Sequence, residues 1–170
     1  MIGFEIILFA LLFIGVYKYQ RSWKPVYPLF YTNGELIKIG HRGAPALAHE
    51  NTLASFTKAV ETGMNGVELD VQYSADKQLV VFHDWDLKTL NGSDKIIEKM
   101  PYSEIEKISL HDDDNNKIPL FREVLNVLSK KCIIVVEIKS VHFLNAGIEK
   151  NVLEIIKEFN FEENCIISSF

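Results

Sequence analysis

Histidine, basic and acidic side chains recur at the ends of the strands that this 170-residue sequence predicts. They fall on four predicted strands or directly after them: His41 and Arg42, Glu68 and Asp70, His83, and Glu137 and Lys139. Polar residues within apolar runs are costly to bury unless they are paired or coordinated. In parallel α/β folds, and above all in (β/α)8 barrels, the carboxyl ends of the strands form the rim of the active site. The spacing therefore predicts an active site at that rim.

Two of these acids, Glu68 and Asp70, lie two residues apart in the strictly alternating segment 66–73. Side chains at positions i and i+2 of a strand project from the same face, so both carboxylates point into one volume. Their mutual repulsion requires a cation, and oxygen ligands are those that Mg²⁺ and Ca²⁺ prefer. The pattern predicts a site for a divalent cation, either Mg²⁺ or Ca²⁺.

Phosphodiester hydrolysis is a reaction that this set of side chains could perform. A divalent cation, together with Arg42 and Lys139, could neutralise the charge on the non-bridging oxygens of the phosphate. His41 and His83, on opposite sides of the phosphate, could remove the proton of the nucleophile and protonate the leaving alkoxide. Imidazole suits both steps because it titrates near neutral pH.

Strand and helix patterns alternate after residue 35. The predicted strands cover residues 36–39, 66–73, 79–82, 133–138 and 165–167, and the predicted helices cover 53–62, 120–128 and 151–159. Thr52 fits the N-cap of the first helix and Gly63 its end. The recurring strand–helix–strand order predicts a mostly parallel sheet with both faces covered.

The polar stretch 84–114 holds at most one short predicted helix, at 103–108. Residues 112–116 (DDDNN) resemble a calcium loop in composition, but they lack the glycine and the terminal glutamate at the spacing that such a loop needs. We therefore expect a solvated loop there.

The N-terminal segment is strongly apolar. Residues 6–17 form an uninterrupted apolar run, which Glu5 precedes and Lys18, Arg21 and Lys24 follow. We expect residues 1–21 to be an uncleaved transmembrane anchor, because a signal peptide would need a basic start and a small-residue cleavage site. A signal peptide or a helix lying on the membrane surface is the alternative. The basic flank predicts that the rest of the chain, a linker at 22–35 and one domain at 36–170, faces the cytoplasm.

Composition excludes one class of partner. A net charge of −5 argues against binding of nucleic acid, since a phosphate backbone requires a basic surface. A phosphate-bearing small substrate stays compatible with that charge, because a bound divalent cation reverses it locally. Cys132 and Cys165 lie in apolar runs without C-x-x-C spacing and predict two buried strand cysteines rather than a disulfide or a metal pair.

In their order along the chain, these motifs resemble those of the glycerophosphodiester phosphodiesterase family. The resemblance rests on five pieces: His41-Arg42-Gly43, Glu50-Asn51-Thr52, Glu68-Leu69-Asp70-Val71, His83-Asp84 and Glu137-Ile138-Lys139. It implies a TIM barrel that hydrolyses glycerophosphodiesters to sn-glycerol 3-phosphate and an alcohol, in phospholipid and glycerol metabolism. It also implies residue roles: His41 and His83 as the acid–base pair, Glu68, Asp70 and Glu137 as metal ligands, and Arg42 and Lys139 on the phosphate. Glu50 either supports the metal site or stabilises a helix start.

The chain departs from the family pattern in its length and in two local features. His49 stands where the family has proline, and the loop after Asp84 lacks the arginine of the family's threonine-rich loop. A (β/α)8 barrel takes about 250 residues. We therefore expect only about the first five strands of a C-terminally truncated barrel, preceded by the transmembrane helix, with edge strands that lack their usual partners.

Three functions fit these observations. The first is hydrolysis of glycerophosphodiesters. The second is a lysophospholipase D-like activity on lysophospholipids, which a membrane anchor would suit by holding the site near lipid. The third is an inactive, membrane-tethered remnant that only binds metal or phosphodiester.

Overall fold

The computed structural model describes residues 2–22, 34–110, 113–128, 132–140 and 147–169. Their contacts divide the chain into two compact units, Met1–Asn33 and Gly34–Phe170. Most of the predicted linker at 22–35 lies outside the described residues, and so does Asp112.

The first unit contains helix α1, Ile2–Ser22. Its apolar run, residues 6–17, corresponds to about 18 Å of helix, whereas the hydrocarbon core of a bilayer is about 30 Å thick. Glu5 precedes this run, and Lys18 and Arg21 follow it within the same helix. In the part of the chain that the structure describes, no helix is long and apolar enough to cross a membrane. The prediction of a transmembrane anchor with a cytoplasm-facing domain is therefore wrong.

The second unit alternates strands and helices along most of its length. Its elements are β1 (Ile39–Gly40), α2 (Leu53–Glu61), β2 (Gly66–Tyr73), β3 (Leu79–Val81), α3 (Lys88–Asn91), α4 (Tyr102–Ile105), β4 (Ser109–Leu110), β5 (Asp113–Lys117), α5 (Phe121–Val127), β6 (Ile133–Ile138), α6 (Ile148–Glu158) and β7 (Cys165–Ser168). The predicted strands at 66–73 and 133–138 are confirmed with their boundaries. The first strand lies later than predicted, and Leu36 is largely exposed.

Four strands form a parallel sheet in the order β1–β2–β6–β7. Strands β2 and β6 run in register from the pair Gly66–Ile133 to the pair Val71–Ile138. Parallel neighbours need a crossover connection, which α2 provides between β1 and β2 and α6 provides between β6 and β7. The carboxyl ends of these strands consequently lie at one edge of the sheet.

Strand β3 is the exception to the predicted parallel order. It pairs antiparallel with β2, with Tyr73 opposite Leu79 and Val71 opposite Val81. The turn between them is too short for a crossover and is closed by Ser74, whose backbone N–H donates to Gln78 O at 2.9 Å. Residues after β3 therefore return along β2, and the Phe82 N–H donates to Asp70 O at 3.1 Å. His83 therefore follows an antiparallel hairpin and is not the end of a parallel strand.

A second, smaller sheet replaces part of the predicted polar loop. Strands β4 and β5 pair antiparallel, with Ser109 opposite Lys117. The loop prediction is therefore wrong for residues 113–116. Beside this hairpin lies a separate apolar cluster of buried side chains: Val80, Leu87, Ile97, Met100, Ile105, Leu110 and Ile118. This cluster gives the mostly polar stretch enough apolar surface to fold.

The main core lies on one face of the parallel sheet, opposite the face that carries Glu68, Asp70 and Glu137. Val67, Leu69 and Val71 on β2 are fully buried, and the helices contribute Phe56 and Phe121 to the same cluster. The N-cap prediction for α2 is confirmed, since Thr52 Oγ1 accepts a hydrogen bond from Ser55 N. Cys132 is buried and Cys165 half-buried, and both are free thiols.

Candidate active site

Three carboxylates converge on strands β2 and β6. Asp70 and Glu137 are opposite each other in the parallel register, and Glu68 precedes Asp70 by two residues on the same face of β2. One ligand oxygen from each residue lies within 4.8 Å of the other two. The cluster could hold a metal ion, and its all-oxygen donor set suits a hard cation such as Mg²⁺ or Ca²⁺. The structure thus brings the three predicted ligands together.

Burial of these carboxylates disfavours their ionised form. The Asp70 side chain is 1% exposed and that of Glu68 is 14% exposed. Burial raises the pKa of Glu68, the backbone N–H of Arg42 lowers it in part, and the net shift is upward. Carboxylates in such surroundings need positive charge beside them to stay ionised.

Two basic side chains supply that charge. Lys139 Nζ lies 2.5 Å from Glu137 Oε1 and 3.3 Å from Asp70 Oδ1. Burial lowers the pKa of Lys139, but its hydrogen bond to Glu137 and the charge of Asp70 raise it by more, so the net pKa is raised. Arg42 Nε lies 3.5 Å from Asp70 Oδ2 and, within the described residues, is buried without a hydrogen-bond acceptor. Both predicted phosphate-binding residues therefore lie beside the carboxylates.

The turn after β1 has an unusual backbone that aims Arg42 at the carboxylates. Arg42 has a φ of 54° and Gly43 a φ of 91°. A Cβ on Gly43 would lie 2.4 Å from Ser55 Oγ, so only glycine fits there. Ser55 Oγ accepts from Ala44 N at 2.8 Å and donates to Arg42 O at 3.0 Å. Helix α2 thus fixes the turn, and the Arg42 N–H donates to Glu68 Oε2 at 2.9 Å.

Asn51 is a supporting residue that the residue-by-residue reasoning did not single out. It is buried with a φ of 55°, and its Nδ2 donates to Asp70 Oδ2 at 2.9 Å. Its position in the Glu50-Asn51-Thr52 motif was the available signal. Glu50 is not part of the carboxylate cluster in the described residues. It accepts from Arg42 Nη1 at 2.8 Å, which makes it a partner of Arg42.

The two histidines have different surroundings. His41 Nε2 lies 3.8 Å from Glu68 Oε2, and its side chain is 73% exposed. His83 is partly buried, and its Nδ1 lies 2.7 Å from Asp84 Oδ1. With Nδ1 donating to that carboxylate, Nε2 of His83 is left to act on a bound molecule. The buried Gln72 donates from Nε2 to Phe82 O and to Asp84 O, at 2.8 Å each.

Sequence comparison identifies the family. The sequence model of the glycerophosphoryl diester phosphodiesterase family matches residues 41–170, which is more than half of the chain. The chain belongs to that family. Among curated relatives, the glycerophosphodiester phosphodiesterase of Caldanaerobacter subterraneus subsp. tengcongensis is 39% identical over 138 residues. The match covers 78% of this chain and 57% of that relative, so this family member spans a little over half the length of the relative.

Solved structures of glycerophosphodiester phosphodiesterases share the fold. The enzyme of Thermotoga maritima is 40% identical with a TM-score of 0.67, and the match covers 81% of this chain and 56% of that one. A phosphodiesterase of Oleispira antarctica, solved with the product sn-glycerol-3-phosphate, is 29% identical with a TM-score of 0.71, over 79% of this chain and 57% of that one. This member of the family has their TIM-barrel-like α/β fold, which confirms that part of the fold prediction.

Proposed function

We propose that this chain takes part in metal-dependent hydrolysis of glycerophosphodiesters to sn-glycerol 3-phosphate and an alcohol. The observation that carries the proposal is the convergence of Glu68, Asp70 and Glu137 within 4.8 Å of one another, in a chain of this family. The four parallel strands would form an arc of a (β/α)8 barrel, in which such convergence marks the active-site rim.

Glu68, Asp70 and Glu137 would hold the divalent cation, which when bound neutralises negative charge on the phosphate. Two of the ligands have their own support. Glu68 accepts from the Arg42 N–H, and Asp70 accepts from Asn51. Outer contacts of this kind orient ligands and preserve affinity for the ion.

Arg42 and Lys139 would bind the phosphate. Arg42 Nε is a buried donor with no acceptor among the described residues, and it lies beside the carboxylates rather than in bulk solvent. A non-bridging phosphate oxygen is the acceptor that would satisfy this donor. Lys139 stays protonated because its pKa is raised, so it adds a second positive charge next to the same position.

His41 and His83 would transfer the protons. One imidazole takes the proton of the attacking hydroxyl as the new P–O bond forms, and the other donates a proton to the leaving oxygen as its P–O bond breaks. In the scheme that the family implies, the attacking hydroxyl belongs to the substrate's glycerol. Water then opens the cyclic phosphate, forming one P–O bond and breaking the ring P–O bond, while the two histidines exchange roles. The bond from His83 Nδ1 to Asp84 fixes the tautomer that this requires.

The test is release of glycerol 3-phosphate from glycerophosphocholine by the full chain. We expect turnover in the presence of Mg²⁺ or Ca²⁺, loss of turnover with EDTA, and recovery when the ion is restored in excess. Both candidate reactions release an alcohol, but they act on different substrates. A parallel assay with lysophosphatidylcholine therefore separates the glycerophosphodiesterase from the lysophospholipase D-like alternative.

Binding of the ion is measured separately by calorimetry. An ion that binds without turnover of either substrate would favour the third alternative, a remnant that only binds metal or phosphodiester. Absence of both binding and turnover would overturn the proposal altogether.

A further inference from the structure

We propose that Gln72 is a positioning residue that holds the segment around His83 beside strand β2, which carries Glu68 and Asp70. This inference rests on the proposed function, because the role of His83 belongs to it. The hydrogen bonds of Gln72 can, however, be tested by measurements that do not depend on turnover.

Gln72 makes two hydrogen bonds to the segment around His83. Its Nε2 donates to Phe82 O and to Asp84 O, at 2.8 Å each. These carbonyls belong to the residues immediately before and after His83, so one side-chain amide spans the histidine. A primary amide has two N–H donors, and both are used on this short segment.

The orientation of the amide is determined by its partners. Both neighbours of Nε2 are backbone carbonyls, which only accept hydrogen bonds, so the nitrogen and not the oxygen must face them. Gln72 is 2% exposed, and its Oε1 is buried without a partner among the described residues. Leaving Oε1 buried without a partner costs free energy. The two hydrogen bonds that Nε2 donates must therefore offset this cost.

The position of Gln72 on β2 connects it to the metal ligands. Glu68, Asp70 and Gln72 alternate along one strand and project from the same face. The first two contribute to the carboxylate cluster, and the third holds the segment around His83. A single rigid strand thereby sets the distance between the ion and the acid–base group.

Without Gln72 the segment would be held less firmly. The hydrogen bond from Phe82 N to Asp70 O fixes its beginning. The side chains of His83 and Asp84 are each about one-third exposed, and they pair with each other. The bond from Ile97 N to Trp85 O, at 2.9 Å, holds the backbone after the pair, and the two bonds from Gln72 hold the backbone between these ends.

The first experiment uses the unaltered chain. Gln72 and Gln78 are compared by NMR of their side-chain amide groups, because Gln78 is exposed and serves as an internal control. We expect the Gln72 amide protons to exchange with solvent at least about tenfold more slowly than those of Gln78, as buried bonded donors do. Equal exchange rates would overturn the proposal, and this measurement stands even if a variant fails to fold.

The second experiment compares Gln72→Met, which keeps the size of the side chain and removes the donors, with Gln78→Met. In Gln72→Met we expect the ring nitrogen resonances of His83 to move toward those of an exposed histidine, and kcat to fall by about 10- to 100-fold. KM and the affinity for Mg²⁺ or Ca²⁺ should not change, since the three carboxylates are untouched. Gln78→Met should match the unaltered chain in every measurement.

The outcomes separate this inference from the proposed function. If the unaltered chain has no turnover, the proposed function fails, but amide exchange and the His83 resonances still decide the role of Gln72. Unchanged His83 resonances in Gln72→Met would overturn the inference. So would a loss of metal affinity equal to the loss of kcat, because Gln72 would then support the whole cluster and not His83.

Discussion

Asp70 and Glu137 are direct neighbours across the parallel strands β2 and β6, so the hydrogen-bond register of the sheet sets the spacing of two metal-ligand candidates. Both strands contribute buried apolar side chains to the main core, among them Leu69 and Val136. A site on such strands is held more precisely than one on loops. Asp70 also contacts Lys139, Arg42 and Asn51, so it is the most connected member of the cluster.

Replacing Asp70 should therefore abolish binding of the ion. We expect Asp70→Asn to weaken the affinity for Mg²⁺ or Ca²⁺ by more than about 100-fold, which exceeds the usual effect of losing an outer partner of a ligand. The measurement is calorimetric titration of the full chain. Asp94→Asn is the matched control, because Asp94 is exposed and pairs only loosely with Lys88 at 3.5 Å. Equal affinities in the two variants would contradict the metal-site assignment.

The histidines should behave differently from the carboxylates. We expect His41→Ala and His83→Ala to lower turnover of glycerophosphocholine by about 10²- to 10⁴-fold, the range for loss of a general acid or base. Affinity for the ion should stay near that of the unaltered chain in both variants. A histidine variant that lost metal binding to the same extent as Asp70→Asn would show that the histidine is a ligand.

Lys139 should oppose binding of the ion while it supports catalysis. Its ammonium group lies 2.5 Å from Glu137 and 3.3 Å from Asp70, so it neutralises the carboxylates that the ion would use. We expect Lys139→Met to bind Mg²⁺ or Ca²⁺ more tightly by about tenfold, since removal of one nearby positive charge is worth on the order of 1 kcal/mol, and to lose turnover.

Lys58→Met is the control for this prediction, because Lys58 pairs with Glu61 on an exposed helix face. Calorimetry measures the affinity and glycerol 3-phosphate release measures the turnover. Weaker metal binding in Lys139→Met would show that the lysine organises the ligands instead of competing for them.

The thiol of Cys165 should be unreactive near neutral pH. Burial raises the pKa of Cys165 to about 12, and burial also raises the pKa of Cys132. Because the thiolate is the reactive species, we expect slow reaction with a thiol reagent at pH 8 and a rate that keeps rising up to about pH 12. In denaturant the thiols should react quickly, and the rate should level off nearer the ordinary thiol pKa. Fast reaction in the folded chain would contradict the shielding of the Cys165 thiol from solvent.

The raised pKa of Cys165 should also make the stability of the fold depend on pH. A thiol whose pKa is raised in the folded state holds its proton where the unfolded chain has lost it. The folded state should therefore lose stability as the pH rises above the ordinary thiol pKa. Urea midpoints for Cys165→Ser and the unaltered chain, compared between neutral and alkaline pH, measure this difference.

The amino-acid sequence by itself determined the features that depend on local spacing. The alternation in residues 66–73 put Glu68 and Asp70 on one face of β2, and Thr52 and Gly63 bounded α2. These predictions held because a strand has a period of two residues and because helix caps act over three or four residues. The ordered motifs also identified the family, which the match over residues 41–170 confirms. The apolar run at the N-terminus led to the wrong prediction of a transmembrane anchor, because the run in α1 is too short to cross a membrane.

Only the tertiary structure decided how distant segments meet. The register that places Glu137 opposite Asp70 and the bonds from Gln72 to the segment around His83 join parts of the chain that the sequence separates. Asn51 likewise reaches Asp70 from the turn before α2. Such contacts follow from strand order and register, which are set by packing of the whole core, and no local pattern of residues encodes them.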